Sequence, residues 1–140
     1  MAYSVAAAVD RVLGPYGTSS TTPVTTTDLT TIIAQIDQQI DAVLKGSGVA
    51  SVPVVSGDDS IFFNYLNSVS IWGTTAEALK SIFPDGEVGD FWQKKYDAAL
   101  KNLRNGTDIP SALLGGANDP TVDTYLVNNP TEEADLGDLE

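Results

Sequence analysis

The 140-residue sequence contains no cysteine and no histidine. The first absence excludes a disulfide framework, a thiolate metal site and a cysteine nucleophile. The second removes the commonest general base and the commonest ligand for zinc, copper and iron. Basic residues are scarce as well. Seven Lys and Arg stand against nineteen Asp and Glu, a formal net charge of −12. Holding a phosphate backbone requires cationic side chains that release counterions, so this composition speaks against a nucleic-acid grip. No run approaches the roughly 20 apolar residues of a membrane-spanning helix. Asp10 and Arg11 interrupt the opening MAYSVAAAVDRVLG before a signal-peptide core forms. Together these deficits predict a protein that is not an enzyme, has no catalytic residues, cofactor or metal, avoids membranes and is made in the cytoplasm.

The charge that is present is unevenly placed. All seven bases precede residue 105, whereas Asp108, Asp119, Asp123, Glu132, Glu133, Asp135, Asp138 and Glu140 follow it. Residues 107–140 therefore carry −8 and residues 1–106 carry −4. An acidic surface favours solubility and basic partners, and it could line a conduit through which DNA slides without adhering.

Apolar periodicity supplies the architecture. Leu29, Ile32, Ile33, Ile36, Ile40, Val43 and Leu44 recur at steps of three and four, which places them on one helical face. Thr27 or Asp28 is the expected N-cap of this helix, and Gly46 its left-handed terminator. Asp37 and Asp41, one turn apart, read as a solvated face. Phe91, Trp92, Tyr96, Ala99, Leu100 and Leu103 repeat the pattern, with Asp90 as the cap, Trp92 and Leu100 in the core and a stop at Gly106.

Between these helices, Asp58-Asp59-Ser60 opens a third that carries Ile61, Phe62, Tyr65, Leu66, Val69 and Trp72. Its apolar residues lie on several faces, so it should be the most buried element, with Gly73-Thr74-Thr75 a point of bending or restart. Tyr65 and Trp72 are expected in the core or at an inter-subunit contact. A first short helix over about Ser4–Leu13, with Val5, Ala8, Val9, Val12 and Leu13 on one side, ends at Gly14-Pro15. The Thr/Ser-rich stretch after it is a connector, and Gly46 to Asp58 is a loop or a short β-hairpin around Pro53. The fold class is thus mainly α: a small bundle of about four helices with an extended C-terminal tail.

The expected division is a helical body, 1–106, and an acidic tail, 107–140. The tail is punctuated by Gly115-Gly116, Asn118-Asp119-Pro120 and Asn128-Asn129-Pro130. Its composition predicts a stretch that does not fold alone. Ile109, Leu113, Leu114, Tyr125, Leu126, Leu136 and Leu139 give it short apolar clusters in an acidic background, suited to docking on a partner.

The phrases IIAQIDQQIDAVLKG, SVPVV and WQKKYDAALKNLRNGTDIP, in this order around an apolar middle helix, resemble the head-to-tail adaptor (connector) proteins of tailed bacteriophages. Ile40, Asp41 and Leu44 match the phrase that ends the family's early helix. Tyr96, Ala98, Ala99, Leu100, Leu103 and Gly106 match its later one. Val52 stands where the family has an aromatic before the loop proline. The resemblance covers about residues 28 to 110 and implies a structural virion protein at the neck. It would form a homo-oligomeric ring, a dodecamer in the usual case, between the portal protein and the next neck or tail protein. DNA would pass through the ring without specific binding, during genome ejection. Another neck or tail-completion protein, or an acidic inhibitor that mimics DNA, is the alternative.

Overall fold

The computed structural model describes residues 2–18 and 24–115. Four α-helices carry the fold: α1 (Ala6–Leu13), α2 (Thr26–Gly46), α3 (Ser60–Ile82) and α4 (Asp90–Arg104). Single turns of 3-10 helix follow α1 at Gly14–Tyr16 and α4 at Ser111–Leu113. The protein is mainly helical, as its periodicity predicts. Among the described residues the only β pairing is an isolated antiparallel bridge between Val49 and Leu114. The segment around the cis Val52-Pro53 bond is therefore a loop and not a hairpin.

α3 lies at the centre and packs against the other three helices. Its N-terminal half buries a stripe of Phe62, Leu66 and Val69, but Gly73, Thr74, Thr75, Ala76, Ala78 and Leu79 are buried at nearly every position, which no single stripe accommodates, so every flank there needs a cover. One apolar cluster joins Ile36, Ile40 and Leu44 of α2 to Phe62, Leu66 and Val69 of α3 and to Tyr96, Ala99 and Leu103 of α4. A second joins Val9 and Leu13 of α1 to Leu29, Ile33, Ala78 and Leu79. Val5 and Val12 remain exposed, so α1 buries a narrower face than its sequence suggests. Trp92 and Leu100 are half-buried, each packed against one of the two clusters.

The helix ends follow local chemistry, with corrections to the expected caps. Thr25, not Thr27 or Asp28, caps α2. Its hydroxyl accepts from the Asp28 N–H at 3.1 Å, and the Asp28 carboxylate accepts from the Thr25 N–H at 2.9 Å. Asp28 is thus the reciprocal member of a capping box, three residues inside the helix. Gly46 stays helical, and the positive φ of 94° falls on Gly48. Ser47, between them, is engaged elsewhere, its hydroxyl donating to the Leu103 carbonyl at 2.8 Å. Asp59 caps α3 by accepting from the Phe62 N–H at 2.9 Å. Gly89 occupies the cap of α4, with Asp90 the first helical residue.

α3 runs unbroken through Gly73-Thr74-Thr75, where a bend or restart was expected. The glycine serves packing and not hinging. A Cβ placed there would lie 2.7 Å from Tyr96 Cε1 and 2.9 Å from Ile36 Cγ2, so α2 and α4 close over α3 at this point. Gly73→Ala gains about 1 kcal/mol of helix propensity but forces a methyl into that contact, at about 1–3 kcal/mol for overpacking. Urea unfolding should show Gly73→Ala to be the less stable protein. Gly57→Ala, where a Cβ meets nothing within 4 Å, should leave the midpoint unchanged.

Candidate functional site

The first feature that stands out is a buried carboxylate. Asp37, expected on a solvated face, is only 5% exposed. The correction has a clear cause, because its oxygens serve as acceptors for groups brought in by the N-terminal segment and α3. Asp37 Oδ2 accepts from the Tyr3 N–H at 2.7 Å, and Oδ1 accepts from the Ser70 hydroxyl at 2.6 Å. Since Ser70 commits its one proton to Asp37, the 2.7 Å contact between Ser4 and Ser70 has Ser4 donating. The Tyr3 hydroxyl donates to Asp41 Oδ1 at 2.5 Å and accepts from the Val54 N–H at 3.0 Å. Asn67 Nδ2 donates to the Tyr3 carbonyl at 2.6 Å. One tyrosine thus ties the N-terminus to α2, α3 and the loop before α3.

This geometry leaves the carboxylates with structural work. Burial raises the Asp37 carboxyl above its ordinary value, against the lowering effect of the Ser70 and Tyr3 hydrogen bonds. Burial also raises the Tyr3 phenol, and its hydrogen bond to Asp41 adds to this. Tyr3 is therefore a neutral donor across the physiological range. Asp37 and Asp41, with Ala2, Ala34 and Gln38, line a cleft of about 280 Å³. Among the described residues, no group of three His, Cys, Asp or Glu side chains could hold a metal ion. No helix among them is long and apolar enough to cross a membrane.

The second feature is an aromatic groove between α3 and α4. Tyr65 and Trp72 of α3 face Lys95, Ala98, Ala99 and Asn102 of α4 across a cleft of about 270 Å³. The Lys95 ammonium lies 4.6 Å from the Trp72 ring centre and 5.5 Å from that of Phe91. Cation–π attraction holds it there. Tyr65 and Trp72, expected in the core or at a contact between subunits, are half-buried on the wall of this groove. The Tyr65 hydroxyl donates to Asp108 at 3.0 Å; burial first, and then that hydrogen bond, pushes the Tyr65 phenol up to about 12. Beyond it, Ile61 (82% exposed), Phe62, Asp59, Asp108 and Pro110 line an adjoining cleft of about 400 Å³.

The expected docking residues divide at the edge of the described chain. Ile109 is buried in the main cluster, and Leu113 and Leu114 pack against it. The Leu113 carbonyl accepts from the Ala50 N–H at 3.0 Å, and the Gly115 N–H donates to the Gly48 carbonyl at 2.7 Å. Packing of the body therefore continues past residue 106 to Gly115. Tyr125, Leu126, Leu136 and Leu139 lie outside the described residues.

Sequence reasoning missed Asp37 because its partners lie 33 and 34 residues away. A signal existed: Asp37 stands four after Ile33 and three before Ile40, at the edge of the apolar stripe. No protein-family model, no curated protein and no solved structure matches this chain.

Replacing Asp37 by Ala should orphan two donors, each worth about 1–3 kcal/mol when buried, and lower the urea midpoint accordingly. The pH dependence has a definite sign. A native pKa above the unfolded one gives stability that is whole at low pH and declines as pH rises through the native value. Relative to Asp37→Asn, the wild-type midpoint should fall as pH rises above about 4 and then level off. A difference that grows with rising pH would contradict the assignment.

Proposed function

We propose that this chain is a structural virion protein, a head-to-tail adaptor whose ring joins the portal to the neck or tail and extends the DNA channel of a tailed bacteriophage. The observation that carries the reading is how the residues of the resemblance meet. Ile40 and Leu44 of the first phrase lie in one apolar cluster with Tyr96, Ala99 and Leu103 of the second, and Val54 from the loop between them joins it. The Tyr96 hydroxyl donates to Gln39 Oε1 at 2.8 Å beside them. Residues separated by more than fifty positions thus form a single structural unit, as a family pattern rooted in folding requires.

Charge supports the same reading. At −12 the protein repels DNA, which lets a genome slide past without being held. The competing reading, an acidic inhibitor that mimics DNA, calls for carboxylates displayed at phosphate-like spacing on an ordered surface. Asp37 is consumed inside the fold and Asp41 is bound to Tyr3, which removes two α2 carboxylates from such a display.

Native mass measurement of the tagged chain, recovered from cells producing the particle, tests the proposal. The expected species is a closed cyclic ring of about a dozen copies stacked on a second ring. A monomer, or a one-to-one complex with a basic protein, would favour the inhibitor instead.

A further inference from the structure

The outer face of α4 differs from the rest of this acidic protein. Phe91, Lys94, Lys95, Ala98, Lys101 and Asn102 recur at steps of three and four, so they share one side of the helix. All six are exposed, Phe91 to 61%. The face carries three lysines, with Asp90 and Asp97 on its border one turn from Lys94 and Lys101, so its charge is net positive. With Arg104, α4 holds four of the seven bases in the whole chain. Lys95 leans over Trp72 and Phe91, beside the Tyr65–Trp72 groove. A surface of ammonium groups around the exposed Phe91 ring and the half-buried Trp72 ring fits an acidic segment that carries its own apolar anchors.

We infer that this face is the docking site of the chain's own acidic C-terminal stretch, residues 116–140. That stretch holds seven carboxylates and no base, interspersed with Val122, Tyr125, Leu126, Val127, Leu136 and Leu139. Its chemistry therefore complements both the lysines and the groove. Its starting point is also fixed. Gly115 is bonded to Gly48, and the adjacent Ser47 hydroxyl is bonded to the Leu103 carbonyl in the last turn of α4. The stretch thus begins beside the C-terminal end of the face it covers. α4 is about 22 Å long at 1.5 Å per residue, whereas 25 residues reach up to about 80 Å. Reach is no obstacle, and a tether of this kind presents its segment at an effective concentration in the millimolar range. At micromolar protein the chain's own stretch therefore outcompetes that of a second copy. The inference holds whether or not the protein is an adaptor.

Zero-length carbodiimide cross-linking of the full chain tests this, in an equal mixture of light-nitrogen and heavy-nitrogen protein at micromolar concentration. Amide links should join Lys94, Lys95 or Lys101 to carboxylates between Asp119 and Glu140, each linked pair carrying one isotope only. Mixed-isotope links would assign the site to a second copy and overturn the inference. So would the absence of links from these lysines to the stretch. The double variant Lys94→Glu, Lys101→Glu, both at exposed positions, should retain its circular dichroism and lower the Lys95 link yield roughly fivefold or more. An unchanged yield would remove charge complementarity as the cause and overturn the assignment.

Discussion

The constraint on which this fold depends is that α3 is apolar around most of its circumference. A helix of that kind is stable in water only when several neighbours cover it at once. α1, α2 and α4 do so, each contributing a narrower apolar stripe. Helices of 8 and 15 residues, the lengths of α1 and α4, are marginal alone. Their stability comes from burial against α3, and the arrangement of the bundle follows from that asymmetry. Gly73 shows how close the cover is, since no side chain fits between α3 and the Tyr96 ring.

Apolar cover does not by itself specify where the N-terminus lies, and here polar chemistry takes over. Tyr3 is 2% exposed, yet its backbone N–H, carbonyl and hydroxyl are all hydrogen-bonded. A buried donor without a partner is costly, so the segment before α1 is held to the one position that satisfies all three groups. Asp37 makes this possible by accepting from two directions. Its burial disfavours the charged form, and hydrogen bonds to that form offset part of the effect. The acidic residue nearest the core is thus an organiser of structure.

Much of this was legible in the sequence, and the reasons for the remainder are physical. The span of α2 and the start of α3 followed from periodicity and from the Asp58-Asp59-Ser60 signal, because a helix writes its own pattern at steps of three and four. The α2 cap lies two or three residues before the expected Thr27 or Asp28, because in a capping box Asp28 is the reciprocal partner of Thr25 and not the cap itself. Gly73-Thr74-Thr75 looked like a break because local propensity cannot see Tyr96 arriving from α4. The boundary at residue 106 came from charge, whereas Ile109 obeys packing and draws nine further residues onto the body. Asp37 and the lysine groove were harder still. Each needs partners from separate helices, and those partners are set by the tertiary fold.

The same distinction bears on function. Composition describes an acidic protein, yet the fold sorts that charge. Asp37 and Asp41 are tied to the N-terminal segment, Asp59 to a helix end, and three of the five lysines gather on the outer side of α4. A protein that repels nucleic acid as a whole can therefore present one local face that attracts carboxylates. Long-range repulsion decays over a Debye length of about 8 Å in physiological salt, while contacts on the Lys95–Trp72 groove act at shorter range. Repulsion from DNA and attraction of an acidic segment are thus compatible in one chain.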